Sequence, residues 1–214
     1  MPDMRVDHLS FAATPDGLAA SADQLAGILG ARFADGGVHP RFGTRNMTLP
    51  LADGRYLELV EVLDHPAADK APFGQAVRAR TEAGGGWLAW VLAVDDMAPY
   101  EERLGRKAAE GTRVLPTGER LEWTQLGVKG LQADPQLPFF VHWEGSGPIH
   151  GTDQPSDLTL KRIVLAGDPE RVSDWLGGPV DEVVEDLEVE WTAPMGNPGL
   201  LGAVFDSPRG EIRL

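Results

Sequence analysis

Three times along the chain a run of apolar and β-branched residues gives way to a short turn and then to an amphipathic stretch. "MRVDHLSFAA" leads through Pro15, Asp16 and Gly17 into "LAASADQLAGILG". "GWLAWVLAV" leads through Asp95, Asp96 and Pro99 into "YEERLGRKAAEG", and "LTLKRIVLA" leads through Gly167, Asp168 and Pro169 into "ERVSDWLG". The first run of each set reads as a strand. The Asp and Pro of each turn suit a helix start, and a Leu-Gly pair falls in or at the end of each amphipathic stretch. The pattern therefore predicts one strand and one helix, repeated at comparable intervals.

After each helix come short alternating runs separated by turn residues, which predict hairpins. "RNMTLPL" and "RYLELVEV" flank Ala52-Asp53-Gly54, whose Asp-Gly pair tolerates the positive φ of a tight turn. "TRVLP", "ERLEWTQLG" and "LPFFVHW" follow the second helix; "EDLEVEWTA", "LLGAVF" and "GEIRL" follow the third. The expected organisation is one globular unit over 1–214, built of three βαβββ-like modules at about 4–62, 87–144 and 158–214. The fold class is α+β. Between modules, "DHPAADKAPFGQAVRARTEAGGG" and "EGSGPIHGTDQPSD" read as connections or lids, the first with a short helix around Phe73 to Thr81. Repeated modules of this kind can close a mixed, largely antiparallel sheet into a cup around a small cavity.

Composition narrows the chemistry. The 214 residues are 42% apolar, enough for one substantial core, and the formal net charge is −14. That charge opposes contact with nucleic acid or an anionic membrane surface, both of which need Lys and Arg in excess. The chain has no cysteine, so any metal must be held by nitrogen and oxygen. Neither a signal-peptide pattern nor an uncharged apolar run of the roughly 20 residues a membrane span needs is present, so a soluble, cytoplasmic protein is expected. No Gly-rich phosphate loop joins a strand to a helix, and Gly84-Gly85-Gly86 precedes its strand. No nucleotide cofactor is expected.

"RVDHLSFAA", "GGVHPRFGTRNMTLPLADGRYLELVEV" and "LPFFVHW", in this order and spacing, resemble the glyoxalase-like domain family of the vicinal oxygen chelate superfamily. The resemblance implies βαβββ modules paired about a pseudo-two-fold axis into a cupped sheet. A divalent metal (zinc, iron, manganese or nickel) or a bound small molecule would lie inside. In the metal-using members one ligand comes from the first strand of a module and another from its last. Carried over, these positions are His8 and Glu58 in the first module; in the second they are Ala89 or Trp90, which cannot bind metal, and His142. In the third, Lys161 and Arg213 replace the ligand types. This departs from lactoylglutathione lyase, and that activity is not expected.

Alternation along a strand can bring His8 and Glu58 into one cavity, and His142 joins them if modules one and two pair. Two imidazoles and a carboxylate would leave open positions for water or substrate. A strand His beside a Glu can equally be a hydrogen-bonded core pair. If modules one and three pair instead, Arg213 would face His8 and Glu58, and its cation would favour an anionic ligand. His39, Arg41, Arg45 and Asn46 gather donors in a Gly-bearing loop and are ligand-binding candidates, since Arg offers a fork to a carboxylate or phosphate. Trp87, Trp90, Trp123 and Trp143 read mostly as core, with one or two, Trp90 among the candidates, walling the pocket. His65 and His150 read as exposed. Three functions stay open. The first is an enzyme on a small oxygenated substrate, of the lyase, isomerase or dioxygenase class; the second is a metal-free protein that sequesters a small, anionic or neutral compound; the third is a partner-binding module without a ligand. Pairing within one chain or across a homodimer is also open.

Overall fold

The computed structural model describes residues 4–144 and 156–214. The first module contains β1 (Met4–Ala12), α1 (Leu18–Leu29), β2 (Ala34–His39), β3 (Thr44–Pro50) and β4 (Tyr56–Val62). Two short helices, α2 (Pro66–Lys70) and α3 (Pro72–Glu82), connect it to β5 (Gly86–Val94), α4 (Ala98–Leu104), β6 (Ala109–Val114), β7 (Arg120–Leu126) and β8 (Phe139–Trp143). The remainder is β9 (Thr159–Ala166), α5 (Pro169–Leu176), α6 (Val180–Val183), β10 (Val184–Glu185), β11 (Glu188–Thr192), β12 (Gly199–Ser207) and β13 (Gly210–Arg213).

The three Leu-Gly pairs are helix stops. Gly30, Gly105 and Gly177 follow α1, α4 and α5 with left-handed φ of 69°, 61° and 87°, the conformation that lets a helix end and satisfy its last carbonyls. Gly105 ends α4 earlier than the amphipathic pattern predicts, and the residues beyond it pass into β6. The Ala52-Asp53-Gly54 turn takes positive φ at both Asp53 and Gly54, as its sequence requires.

Modules one and two pair. The strand order β1-β4-β3-β2-β6-β7-β8-β5, with β5 bonded back to β1, closes a ring of eight strands. Within each module the first strand lies parallel to the last, β1 beside β4 and β5 beside β8. The third module is wired differently: β9 is central in a four-stranded sheet, β11-β9-β12-β13, with β11 parallel and β12 antiparallel to it. Leu9, Leu57, Trp90, Leu92 and Phe140 on the barrel's outer face form one buried cluster with Ile163, Leu165, Trp175 and Phe205 of that last segment. Met4 and Arg5 of β1 also pair with β10.

Alternation then fixes what faces inward. Across β1 and β4, His8 is level with Tyr56 and Ser10 with Glu58, while Leu9 and Leu57 form the outward row. One irregularity breaks the alternation. The β1–β5 register slips between Val6, opposite Leu92, and His8, opposite Val91, leaving Asp7 as an extra residue. A bulge of this kind re-aims a side chain, and it places the Asp7 carboxylate beside the His8 ring.

Between β2 and β6 the ring closes on a single pair, Val38 with Val114. Gly37 makes that approach feasible, with φ of +98° and a position where a Cβ would stand 1.9 Å from the Val114 carbonyl oxygen. Gly37→Ala is expected to lower stability by about 3 kcal/mol, combining strain and steric displacement. Gly54→Ala serves as its control. Gly54 also has positive φ but, among the described residues, no neighbour within 4 Å of an added Cβ, and its substitution should cost about 1 kcal/mol. Urea denaturation of the two variants checks the difference; equal losses would mean that the seam bears no steric load.

Candidate functional site

The barrel interior is mostly filled. Phe73 from α3, Trp123, Phe139, Val141 and Trp143 wall a cavity of about 30 Å³ around His8, His39, Tyr56, Glu58, Arg113 and Gln125, room for about one or two waters. A roomier groove of about 720 Å³ between α5, α6 and β11 is open to solvent. Asp7, His8, His39, Tyr56, Glu58 and Arg113 gather in the barrel, as active-site groups do, whereas buried Arg55 reaches out to the Glu185 and Asp186 carbonyls.

Asp7 and His8 form a dyad. Nδ1 of His8 is 2.7 Å from Oδ2 of Asp7, and the Trp143 indole N–H donates to the other carboxylate oxygen at 3.0 Å. An ionised carboxylate only accepts, so Nδ1 carries the proton and, in the neutral ring, Nε2 keeps its lone pair. The ring stacks on Tyr56 with centroids 4.5 Å apart, and its Nε2 faces Glu58 at 3.7 Å. Burial pushes the Tyr56 phenol well above its usual range, and Asp7 adds to that.

Glu58 is held by donors on both oxygens. The Ser10 hydroxyl donates to Oε2 at 2.7 Å and the Asn46 amide to Oε1 at 2.8 Å. Burial would raise its pKa, but His8, His39 and these two hydrogen bonds outweigh burial and hold it below the usual carboxylate range. His39 faces Glu58 from the far side, its Nε2 4.0 Å from Oε1 and its Nδ1 2.9 Å from the Thr44 hydroxyl. Burial lowers the His39 pKa to about 4, Glu58 opposing and Arg113 and His8 assisting, so the ring is neutral at pH 7. Arg113 comes from β6 and is 1% exposed, with Nε and Nη2 buried and free of hydrogen bonds among the described residues. The same strand makes room for the Trp123 ring of β7: a Cβ at Gly111 would stand 2.2 Å from it.

The structure brings His8, Glu58, His39 and Asn46 together and separates the rest of the expected set. His142 lies between inward Val141 and Trp143, so alternation turns it away, and its Nδ1 is 3.1 Å from the Val94 carbonyl. Trp90 faces the outer core and donates to the Gln136 carbonyl at 2.9 Å. Arg41 and Arg45 are half-exposed and pair with Glu110 and Glu61, each at 2.7 Å. Arg213 pairs with Glu190 at 2.8 Å on the third module's sheet, because modules one and two are the pair that closes. His65 caps α2, accepting from the Ala67 N–H; His150 lies outside the described residues. Asp7, Tyr56, Gln125 and Arg113 are site residues that the sequence reading missed. The acidic residue directly before His8 in a strand was the one visible signal.

The donor set does not close around a cation. With His142 turned outward, no group of three His, Asp or Glu side chains among the described residues is placed to hold a metal ion. The Arg113 guanidinium shares the cavity and opposes a second positive charge there. No described helix is long and apolar enough to cross a membrane.

A hypothetical protein from Staphylococcus aureus is similar in fold, 16% identical with a TM-score of 0.65, over 88% of this chain and 86% of its own. Methylmalonyl-CoA epimerase from Mycobacterium tuberculosis is similar at 14% identity and a TM-score of 0.44, over 67% of this chain and 89% of its own. No curated protein matches the chain. Residues 6–180 match the Glyoxalase-like domain family. With that match over most of its length, and with two βαβββ modules closed into a cup, the chain belongs to the glyoxalase-like family of the vicinal oxygen chelate fold.

Proposed function

We propose that the chain is a small-molecule enzyme that transfers protons inside the barrel without a metal ion, with His8 as the group that takes and returns the proton. The observation that carries this reading is the 2.7 Å contact from Asp7 to His8 Nδ1, with Nε2 left facing the cavity. A buried carboxylate fixes the tautomer and steadies the imidazolium that forms when Nε2 accepts a proton. Glu58, kept ionised by Ser10 and Asn46, lies on the other side of that imidazolium and adds to its stabilisation. Tyr56 and Trp143 hold the ring and its carboxylate in place, while Phe73 and Trp123 keep bulk water from the reacting atoms. Isomerisation at a carbon beside a carbonyl consists of removing one proton to His8 Nε2 and returning it to another position or face; lyase chemistry needs, in addition, a leaving group that departs from the neighbouring carbon of the substrate.

Chelator-treated protein is to be incubated in D2O with hydroxyacetone and with pyruvate, and C–H exchange followed by NMR. Exchange above background is expected for at least one of them, falling on the order of 100-fold or more in His8→Gln. Exchange that survives in His8→Gln would overturn the assignment. So would exchange that disappears with the chelator and returns with added zinc or manganese. Binding of these compounds without exchange would favour sequestration.

A further inference from the structure

Arg113 is the interior charge that proton transfer at His8 leaves unused. It is almost completely enclosed, and its Nε and Nη2 meet no acceptor among the described residues. Enclosed donors without acceptors are costly, and a guanidinium most of all. The carboxylates inside the barrel are already committed: Glu58 to Ser10 and Asn46, Asp7 to His8 and Trp143. Gln125 offers its side-chain oxygen to the Trp123 indole at 3.0 Å. The two open nitrogens are also chemically specific. Nη2 is the terminal nitrogen on the same side as the Nε–H, so together they form one edge of the guanidinium, with two parallel N–H groups spaced to meet the two oxygens of a carboxylate.

We infer that this edge anchors the carboxylate of the substrate, and that the substrate class is a short carboxylic acid whose reacting carbon lies within reach of His8. The identification as substrate rests on the proton-transfer reading above; the carboxylate site stands without it. Size and charge exclude the other common oxyanion. The cavity is water-sized and lined by the Glu58 carboxylate, with the Asp7 carboxylate enclosed behind His8, and these repel a phosphate dianion more strongly than a planar monoanion. A ligand of a few heavy atoms exceeds that volume and requires Phe73 or Trp123, which wall the cavity, to move.

The test measures binding at constant ionic strength by calorimetry and by thermal shift, using pyruvate, propionate, hydroxyacetone, inorganic phosphate and chloride. Pyruvate and propionate are expected to bind and raise Tm, and the other three are not. Arg113→Lys, which keeps the charge and loses the fork, should weaken pyruvate roughly 10-fold, and Arg113→Met on the order of 100-fold. The Met variant fills the same volume without an enclosed charge, so it should fold, and far-UV circular dichroism checks that. The inference is overturned if hydroxyacetone, phosphate or chloride binds as well as pyruvate, if no carboxylate binds, or if Arg113→Met retains pyruvate. His8→Gln separates the two readings. Pyruvate binding kept in His8→Gln and lost in Arg113→Met supports the anchor whatever the exchange rates show. Hydroxyacetone exchanging as fast as pyruvate, in a His8-dependent way, would keep the proton-transfer role and overturn the anchor.

Discussion

Asp7→Asn is expected to slow His8-dependent exchange by on the order of 100-fold, as much as loss of His8 itself costs, because it reverses the tautomer of the base. The substitution preserves volume, but one oxygen becomes an NH2 donor. That amide then faces either His8 Nδ1, 2.7 Å from Asp7 Oδ2, or the Trp143 indole N–H, 3.0 Å from Oδ1. In the first case His8 must move its proton to Nε2, and the lone pair leaves the cavity. In the second, two donors oppose each other in a fully enclosed position, Asp7 being 0% exposed. Either outcome should also lower stability by about 2–3 kcal/mol. Exchange rates and urea midpoints of wild type and Asp7→Asn, measured in parallel, are the check. Loss of stability with exchange unchanged would show Asp7 to be a packing residue only.

Stability is expected to fall by about 3 kcal/mol between pH 7 and pH 4 on account of His39 alone. Its folded pKa, about 4, lies below the 6.5 of the unfolded chain because burial disfavours the charged ring. Below pH 6.5 the unfolded state therefore binds a proton that the folded state refuses. The free energy of unfolding drops with falling pH until the folded ring also protonates near pH 4. Glu58 acts in the same direction but lower on the scale. Its folded pKa is depressed, so its contribution is intact above the ordinary carboxylate value of 4.5 and is lost below it. Urea unfolding at pH 7.5, 5.5 and 4 should show a slope of about one proton in the wild type and almost none in His39→Gln above pH 4.5. Parallel curves for the two proteins would contradict the enclosed, neutral ring.

The strand, helix and turn grammar was readable wherever side chains alternate. β1, β4, β5 and β9, the Leu-Gly stops and the Asp53-Gly54 turn all fall where the pattern puts them. β2 did not announce itself, because "ADGGVH" carries two glycines and no apolar alternation. It forms a strand because Gly36 leaves room for the Asn46 side chain and Gly37 for the β6 backbone, facts that belong to neighbours remote in sequence. His39 consequently read as a loop residue rather than an enclosed one. His142 was aligned to the right strand and the wrong parity; one position decides which face a residue takes. Arg113 was invisible for a different reason: a charged residue in a strand ordinarily faces water, and only closure of the ring encloses it. The third module opens on a strand and a helix as the other two do, but it adds α6 and β10 and pairs its strands differently, which local sequence does not encode.

The single Val38–Val114 bridge has a bearing on how a guest and the barrel stabilise one another. His39 ends the strand on one side of that seam and Arg113 precedes Val114 on the other. A molecule touching both acts as a clasp across the weakest joint of the ring. By mass action its affinity then adds to the apparent stability of the barrel: whatever loosens the clasp loosens the wall.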